Sequence, residues 1–225
     1  MTFSIVAHCA ETGQFGLAIS SSSPAVAARC VHTRAEVGAV ASQNITDPAL
    51  GTSTLDLLQQ GLSASDALTL QMQRHDHMDF RQLLIVDTRG QTAAHSGPNA
   101  LGIWGAVART NVASGGNLLA SDRVPKIMAD AFDCSTGALA DRLLLSLRAG
   151  LDAGGEAGPV HSAGLQVCDK LGWPLVDLRC DWTEDCPVDA VESAWRVYKP
   201  QVDDYVNRAL YPGEAPAYGV PGEKG

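Results

Sequence analysis

Aromatic residues make up only 5% of the 225-residue sequence. Alanine, glycine, leucine and valine must therefore fill the interior, a composition suited to closely packed sheets and helices and not to an aromatic-lined cleft. Positive charge is also scarce. Sixteen Lys and Arg against 25 Asp and Glu leave a formal net charge of −9, which offers no attraction to a nucleic-acid backbone or an anionic membrane. No apolar run approaches the ~20 residues of a membrane span, and no basic stretch leads into a long apolar one near Met1, so neither a signal peptide nor a membrane partner is expected. None of the six cysteines (Cys9, Cys30, Cys134, Cys168, Cys180, Cys186) forms a CxxC pair. Buried reduced thiols in a cytoplasmic protein are the expectation. GxxxxGK[ST], GxSxG and HExxH are all missing, which excludes P-loop, serine-elbow and zincin chemistry, and no cofactor or metal is predicted.

What is present reads as alternating blocks of strands and helices. Phe3–His8 and Phe15–Ser21 flank a turn at Glu11–Gly13 and predict a β-hairpin; Arg29–Thr33 and Val37–Gln43 predict a second. These arms are apolar on both faces, so covering layers are required. A short helix is expected over Thr52–Gln60, and Ser63 is placed to cap another over ASDALTLQMQR. Strands return at RQLLIVD, TAAHS, IWGAVA and NVASGGNLL. Ser121 then caps a helix carrying Val124, Ile127, Met128 and Ala131, and a further helix from Ala138 stops at Gly150. Strands at HSAGLQVCD and LVDLRCD precede two amphipathic helices, separated at Pro200. The order predicts an α+β domain of stacked antiparallel sheets with helices outside. It spans residues 1–185, with C-terminal helices over 186–211 packed on the domain or on a partner subunit, and a Pro/Gly-rich tail over 212–225.

Thr2 is the sharpest chemical candidate. Removal of Met1 gives a threonine whose hydroxyl is a nucleophile and whose own α-amine, with an ordinary pKa of about 7.7–8.0, is the base. A symmetric hairpin brings Ser21, Ser22 and Ser23 around it, where they orient a substrate or simply end a strand and cap a helix. Gly116 and Asn117, after an apolar strand, read either as oxyanion donors or as a glycine turn with a capping amide. Arg74-His75-Asp76-His77 reads as a helix end running into a polar loop. His8, His32, His95 and His161 read as structural histidines in strands, and Asp177, Arg179 and Asp181 as an ion network on one strand face.

The segments TFSIVA, ETGQFGLAIS, VGAVASQ, RQLLIVD, the GN of SGGNLL, AGGE and VDLRCD occur in an order that resembles the DUF1028 family over Thr2 to Ala194. The resemblance implies an N-terminal-nucleophile (Ntn) hydrolase fold, a four-layer αββα sandwich, with Thr2 at the position of the catalytic residue. It also matches Asn117 to the family's Gly-Asn motif. The sequence places no charged group beside Thr2 to tune its amine. Two functions are therefore carried forward. The first is an amidohydrolase acting on a small amide or peptide-like substrate. The second is a non-catalytic ligand-binding or assembly protein retaining the fold. A homo-oligomer, a dimer, is expected through the C-terminal helices.

Overall fold

The computed structural model describes residues 2–217. Alternation along the first strand, β1 (Thr2–His8), assigns its two faces to different cores: Phe3, Ile5 and Ala7 join one apolar cluster and Val6 another. All of β1 is buried, as is β2 (Phe15–Ser21), its antiparallel hairpin partner. The register sets Phe3 opposite Ser20 and His8 opposite Phe15.

The next segment departs from the predicted strand pair. Residues 26–30 form a short helix, α1 (Val26–Cys30), so β3 (Val31–Arg34) begins two residues later than expected. Val26, Ala27 and Cys30 are the buried residues of α1, a helical spacing. Ala27 packs onto Gly164, where a built Cβ would come within 2.5 Å of the alanine methyl. β4 (Gly38–Asn44) follows, and α2 (Pro48–Gln59) starts four residues before the predicted Thr52. Its start is set by Asp47, whose carboxylate accepts the Ala49 N–H at 3.0 Å, and by Pro48 in the first turn. α3 (Ala64–Arg74) is capped by Ser63 as predicted.

Strands β5 (Arg81–Asp87), β6 (Thr92–Ser96), β7 (Gly105–Arg109) and β8 (Val112–Asn117) come next. β7 is shorter than predicted, leaving Ile103 and Trp104 outside the strand and exposed. α4 (Val124–Cys134) is not capped by Ser121, whose hydroxyl instead accepts the Arg123 N–H ahead of the helix. α5 (Leu139–Asp152) runs through Gly150. That glycine is a packing requirement and not a stop, since a Cβ there would lie 2.7 Å from Met128 Cγ on α4. β9 (Ser162–Cys168), β10 (Val176–Cys180), α6 (Pro187–Tyr198) and α7 (Val202–Leu210) complete the order.

The strands form two antiparallel sheets, one in the order β10-β9-β2-β1-β8-β7 and one in the order β3-β4-β5-β6. Side chains of α4, α5 and α6 share a core with the outer face of the larger sheet, and those of α2 and α3 with the outer face of the smaller. A third cluster fills the space between the sheets. This is the four-layer αββα sandwich that the element order and the resemblance implied. Each fully buried Phe, Leu or Ile contributes roughly 1.5–3 kcal/mol of transfer energy, so three such cores hold the layers together. The six cysteines carry no disulfide. Val188, Val191 and Trp195 of α6 reach the larger sheet's core. Beyond α7 the chain makes one 3-10 turn, Pro212–Glu214; the rest of the predicted tail, 218–225, lies outside the described residues. Among the described residues no helix is long and apolar enough to cross a membrane.

Candidate active site

Between the sheets, Val6, Leu17, Ile19, Ala41, Leu84 and Ala113 make an apolar layer. Stepping along each strand toward the Thr2 end, two residues at a time, keeps to the same face and changes its chemistry. Val6 gives way to Ser4 and Thr2, Ile19 to Ser21, Ala41 to Gln43, Leu84 to Gln82, and Ala113 to Gly115 and Asn117. The polar residues of this set are all buried. They form a chain from one sheet to the other: the Ser4 hydroxyl donates to Gln43 Oε1 at 2.6 Å, and Gln43 Nε2 donates to Gln82 Oε1 at 2.6 Å. Gln82 Nε2 donates in turn to Ser96 Oγ at 2.8 Å and the Gly116 carbonyl at 3.0 Å.

Thr2 lies directly opposite Asn117 in the β1–β8 register, so the two side chains share this face. Its hydroxyl is 3.5 Å from Ser21 Oγ. Asn117 is fully buried; its Nδ2 makes a long contact of 3.4 Å to Gln82 Oε1, which Gln43 already occupies, and its Oδ1 has no hydrogen-bond partner. A buried acceptor left unpaired costs about 1–3 kcal/mol.

The structure thus brings Thr2, Ser21 and Asn117 together. Gly116 is adjacent, inside β8 opposite Phe3 and not in a turn after the strand. Ser22 and Ser23 turn away from Thr2: the Ser22 N–H is held by the Glu156 carboxylate at 3.0 and 3.2 Å, and the Ser23 N–H by Ser21 Oγ at 3.0 Å. Of the three serines only Ser21 contacts the Thr2 hydroxyl through its side chain, because β2 ends there and the chain bends toward α1.

Glu156 is the residue that sequence reasoning missed. Only 3% exposed, it bridges to Leu119 beyond the end of β8, beside the start of β1. Burial pushes its carboxyl up to about 7, against the opposing pull of the Ser22 hydrogen bonds and the nearby His161. Against the expectation of no charged group beside Thr2, an ionisable side chain is buried one residue past Ser21, whose hydroxyl neighbours that of Thr2. Gly-Gly-Glu was the available signal. Gly154 and Gly155, at φ of 109° and 52°, let the loop turn inward against Phe3.

Apart from His161, whose backbone N–H donates to the Ser21 carbonyl at 2.8 Å, the remaining candidates lie elsewhere. Among the described residues no cluster of His, Cys, Asp or Glu has the arrangement of a metal site, including the stretch Arg74–His77. His32, His95 and His161 each bond a backbone carbonyl, and His8 the side chain of Asn111. Arg179 pairs with Asp181 at 3.2 Å, and Asp177 accepts from Gln166. Cavities of about 430 and 290 Å³ open at the hairpin end of β1, away from Thr2. Thr2 itself is 5% exposed.

The crystal structure of a DUF1028 protein from Silicibacter pomeroyi superposes with a TM-score of 0.82 at 30% identity, covering 88% of this chain and 89% of that one. Far more distant likenesses are the Anbu (ancestral beta-subunit) of Yersinia bercovieri, with a TM-score of 0.37 at 14% identity over 99% of each chain, and the Thiobacillus denitrificans BPH in complex with epoxomicin. The latter has a TM-score of 0.38 at 13% identity, over 76% of this chain and 100% of that one. At those scores neither bears on the site. No curated protein matches the chain. The profile of DUF1028, described as a family of unknown function, matches residues 2–191, and the chain belongs to that family.

Proposed function

We propose that the protein is an N-terminal-nucleophile amidohydrolase acting on a small amide or peptide-like substrate, with Thr2 as nucleophile and base once Met1 is removed. The observation that carries this reading is the buried polar layer around Thr2, with the Asn117 carbonyl left unpaired within it. Apolar side chains of similar volume would serve stability better at that depth. In the proposed reaction the Thr2 hydroxyl oxygen bonds to the amide carbon while its proton passes to the α-amine. The oxyanion takes hydrogen bonds from Asn117 Nδ2 and backbone N–H groups. The C–N bond then breaks as the leaving nitrogen takes the proton from the α-amine, and water hydrolyses the resulting ester. Ser21 and Gly116 border the approach.

One observation favours the other reading, a binding or assembly protein: Thr2 is 5% exposed. A single experiment separates the two. The untagged protein is isolated from its native host, its intact mass measured, and a threonine-acylating β-lactone applied to wild type and Thr2→Ala. Loss of Met1 with one adduct per chain, absent in Thr2→Ala, supports the hydrolase. Retained Met1, or no adduct on Met-free protein, overturns it.

A homodimer belongs to the same proposal, supported by exposed Val197, Tyr205, Leu210 and Tyr211 on and after the C-terminal helices. Light scattering of the full chain checks it. A monomeric mass would remove it without touching the chemistry.

A further inference from the structure

The six-stranded sheet has an unusual occupant ahead of Thr2. Beyond Asn117 the chain bends at Leu118, which has a φ of 50°, and then continues alongside residues 155–157. The Ala120 N–H donates to the Gly155 carbonyl at 3.0 Å, the Ala157 N–H donates to the Leu118 carbonyl at 2.9 Å, and Glu156 bridges Leu119. Since Thr2 is the partner of Asn117, these residues sit beside the stretch that follows Asn117, upstream of Thr2 along the path of β1. On the other flank, the register of Phe3 with Ser20 puts Ser21 opposite Thr2 and Ser22 one step upstream. The Glu156 carboxylate binds the Ser22 N–H from that upstream position. A buried carboxyl group is therefore held between the continuations of β2 and β8, one register step upstream of Thr2.

We propose that Glu156 is the positioning residue for the α-amine of Thr2. This rests on the reading of Thr2 as a processed terminus and adds what sets the amine's orientation and charge. The carboxylate accepts a hydrogen bond from the α-ammonium, which fixes the amine against the Ser22 side of the strand. For reaction, the ammonium proton passes to a Glu156 oxygen and leaves the amine neutral. Its lone pair then takes the Thr2 hydroxyl proton as the oxygen attacks, so the proton count is unchanged and no further reactant is required. The other titratable side chain whose charge reaches Glu156 is His161. Its Nδ1 is bonded to the Thr183 carbonyl at 2.8 Å and its ring stacks on Trp182.

The test reads the amine and not turnover. Met-free protein carrying ¹⁵N-threonine is titrated by NMR as wild type, Glu156→Gln and Glu156→Asp. Glutamine keeps an oxygen for the Ser22 N–H, and an unchanged amide spectrum away from the loop shows an intact fold. Glu156→Gln should lower the midpoint of the Thr2 amine by about one pH unit, a tenfold rise in its neutral fraction below the midpoint, and Glu156→Asp should recover most of that shift. A midpoint unmoved by Glu156→Gln overturns the role of Glu156 and leaves the nucleophile reading standing. A chain that retains Met1 in its native host overturns both.

Discussion

The two ends of the space between the sheets are built on opposite principles. At the hairpin end the surface is open: cavities of about 430 and 290 Å³ lie among loops, and His8 stacks on Phe15 with its Nδ1 bonded to Asn111. At the Thr2 end the layer between the sheets is buried, yet it is polar from Thr2 and Ser4 across Gln43 to Gln82 and Asn117. Open space at one end costs little, because its polar groups reach water. Polar groups at the other end must be satisfied by one another, and one of them is not. Cavity size and the cost of burial therefore single out opposite ends of the molecule.

The largest effect should come from the hub of the polar chain. Gln82→Ala strips partners from Gln43, Ser96, Asn117 and the Gly116 carbonyl at once, and should lower unfolding free energy by about 3–4 kcal/mol in urea titrations. His8→Ala at the open end should cost under about 1 kcal/mol; equal losses would erase the contrast.

The second effect is a pH dependence. The Glu156 carboxyl is raised in the folded protein to about 7 from an ordinary 4.5, so between those values the native state holds a proton that the unfolded chain has released. Stability should then fall as pH rises from about 4.5 to 7, by on the order of a few kcal/mol, and by less where the α-ammonium pairs with the carboxylate. Glu156→Gln should flatten that slope, as followed by urea midpoints across the range. A slope unchanged in the variant would place the titrating group elsewhere.

Smaller changes sharpen the comparison. Asn117→Leu removes the unpaired carbonyl and should leave stability within about 1 kcal/mol of wild type or raise it, while abolishing β-lactone labelling. Parallel loss of stability and labelling would make Asn117 a structural residue. At the open end, burial works to raise the Cys9 thiol, but hydrogen bonds from Thr12 and Glu11 and the charge of Arg142 outweigh it and hold the thiol below its ordinary value. Burial pushes Cys30 and Cys168 up. Iodoacetamide with mass mapping at pH 7 should modify Cys9 on the order of tenfold faster than either. Equal rates would show that access and not acidity governs all three.

Much of this was legible in the sequence, and where it was not the cause is a contact distant along the chain. The hairpin of β1 and β2, the Ser63 cap and the amphipathic face of α6 follow from spacings that involve only near neighbours. The errors fell where a distant contact overrode a local signal. Gly150 looks like a helix stop until Met128 is packed against it, and Arg29 looks like a strand residue until Ala27 meets Gly164. Thr2, Ser21 and Asn117 were all candidates, and the register joined them. Ser22 and Ser23 look equivalent to Ser21 in sequence, but the bend after β2 turns them elsewhere.

By itself the sequence determined the two-sided burial of the strands, the alternation of strand blocks with helix pairs and the presence of a threonine behind Met1, because periodicity and composition act over a few residues. Only the tertiary structure decided that Gln43, Gln82 and Asn117 would form one buried chain and that Glu156 would lie at the head of β1. Those residues are separated by 35 to 113 positions in the chain. Their meeting is set by strand register and by a glycine loop with left-handed backbone angles, and neither leaves a repeating pattern along the sequence.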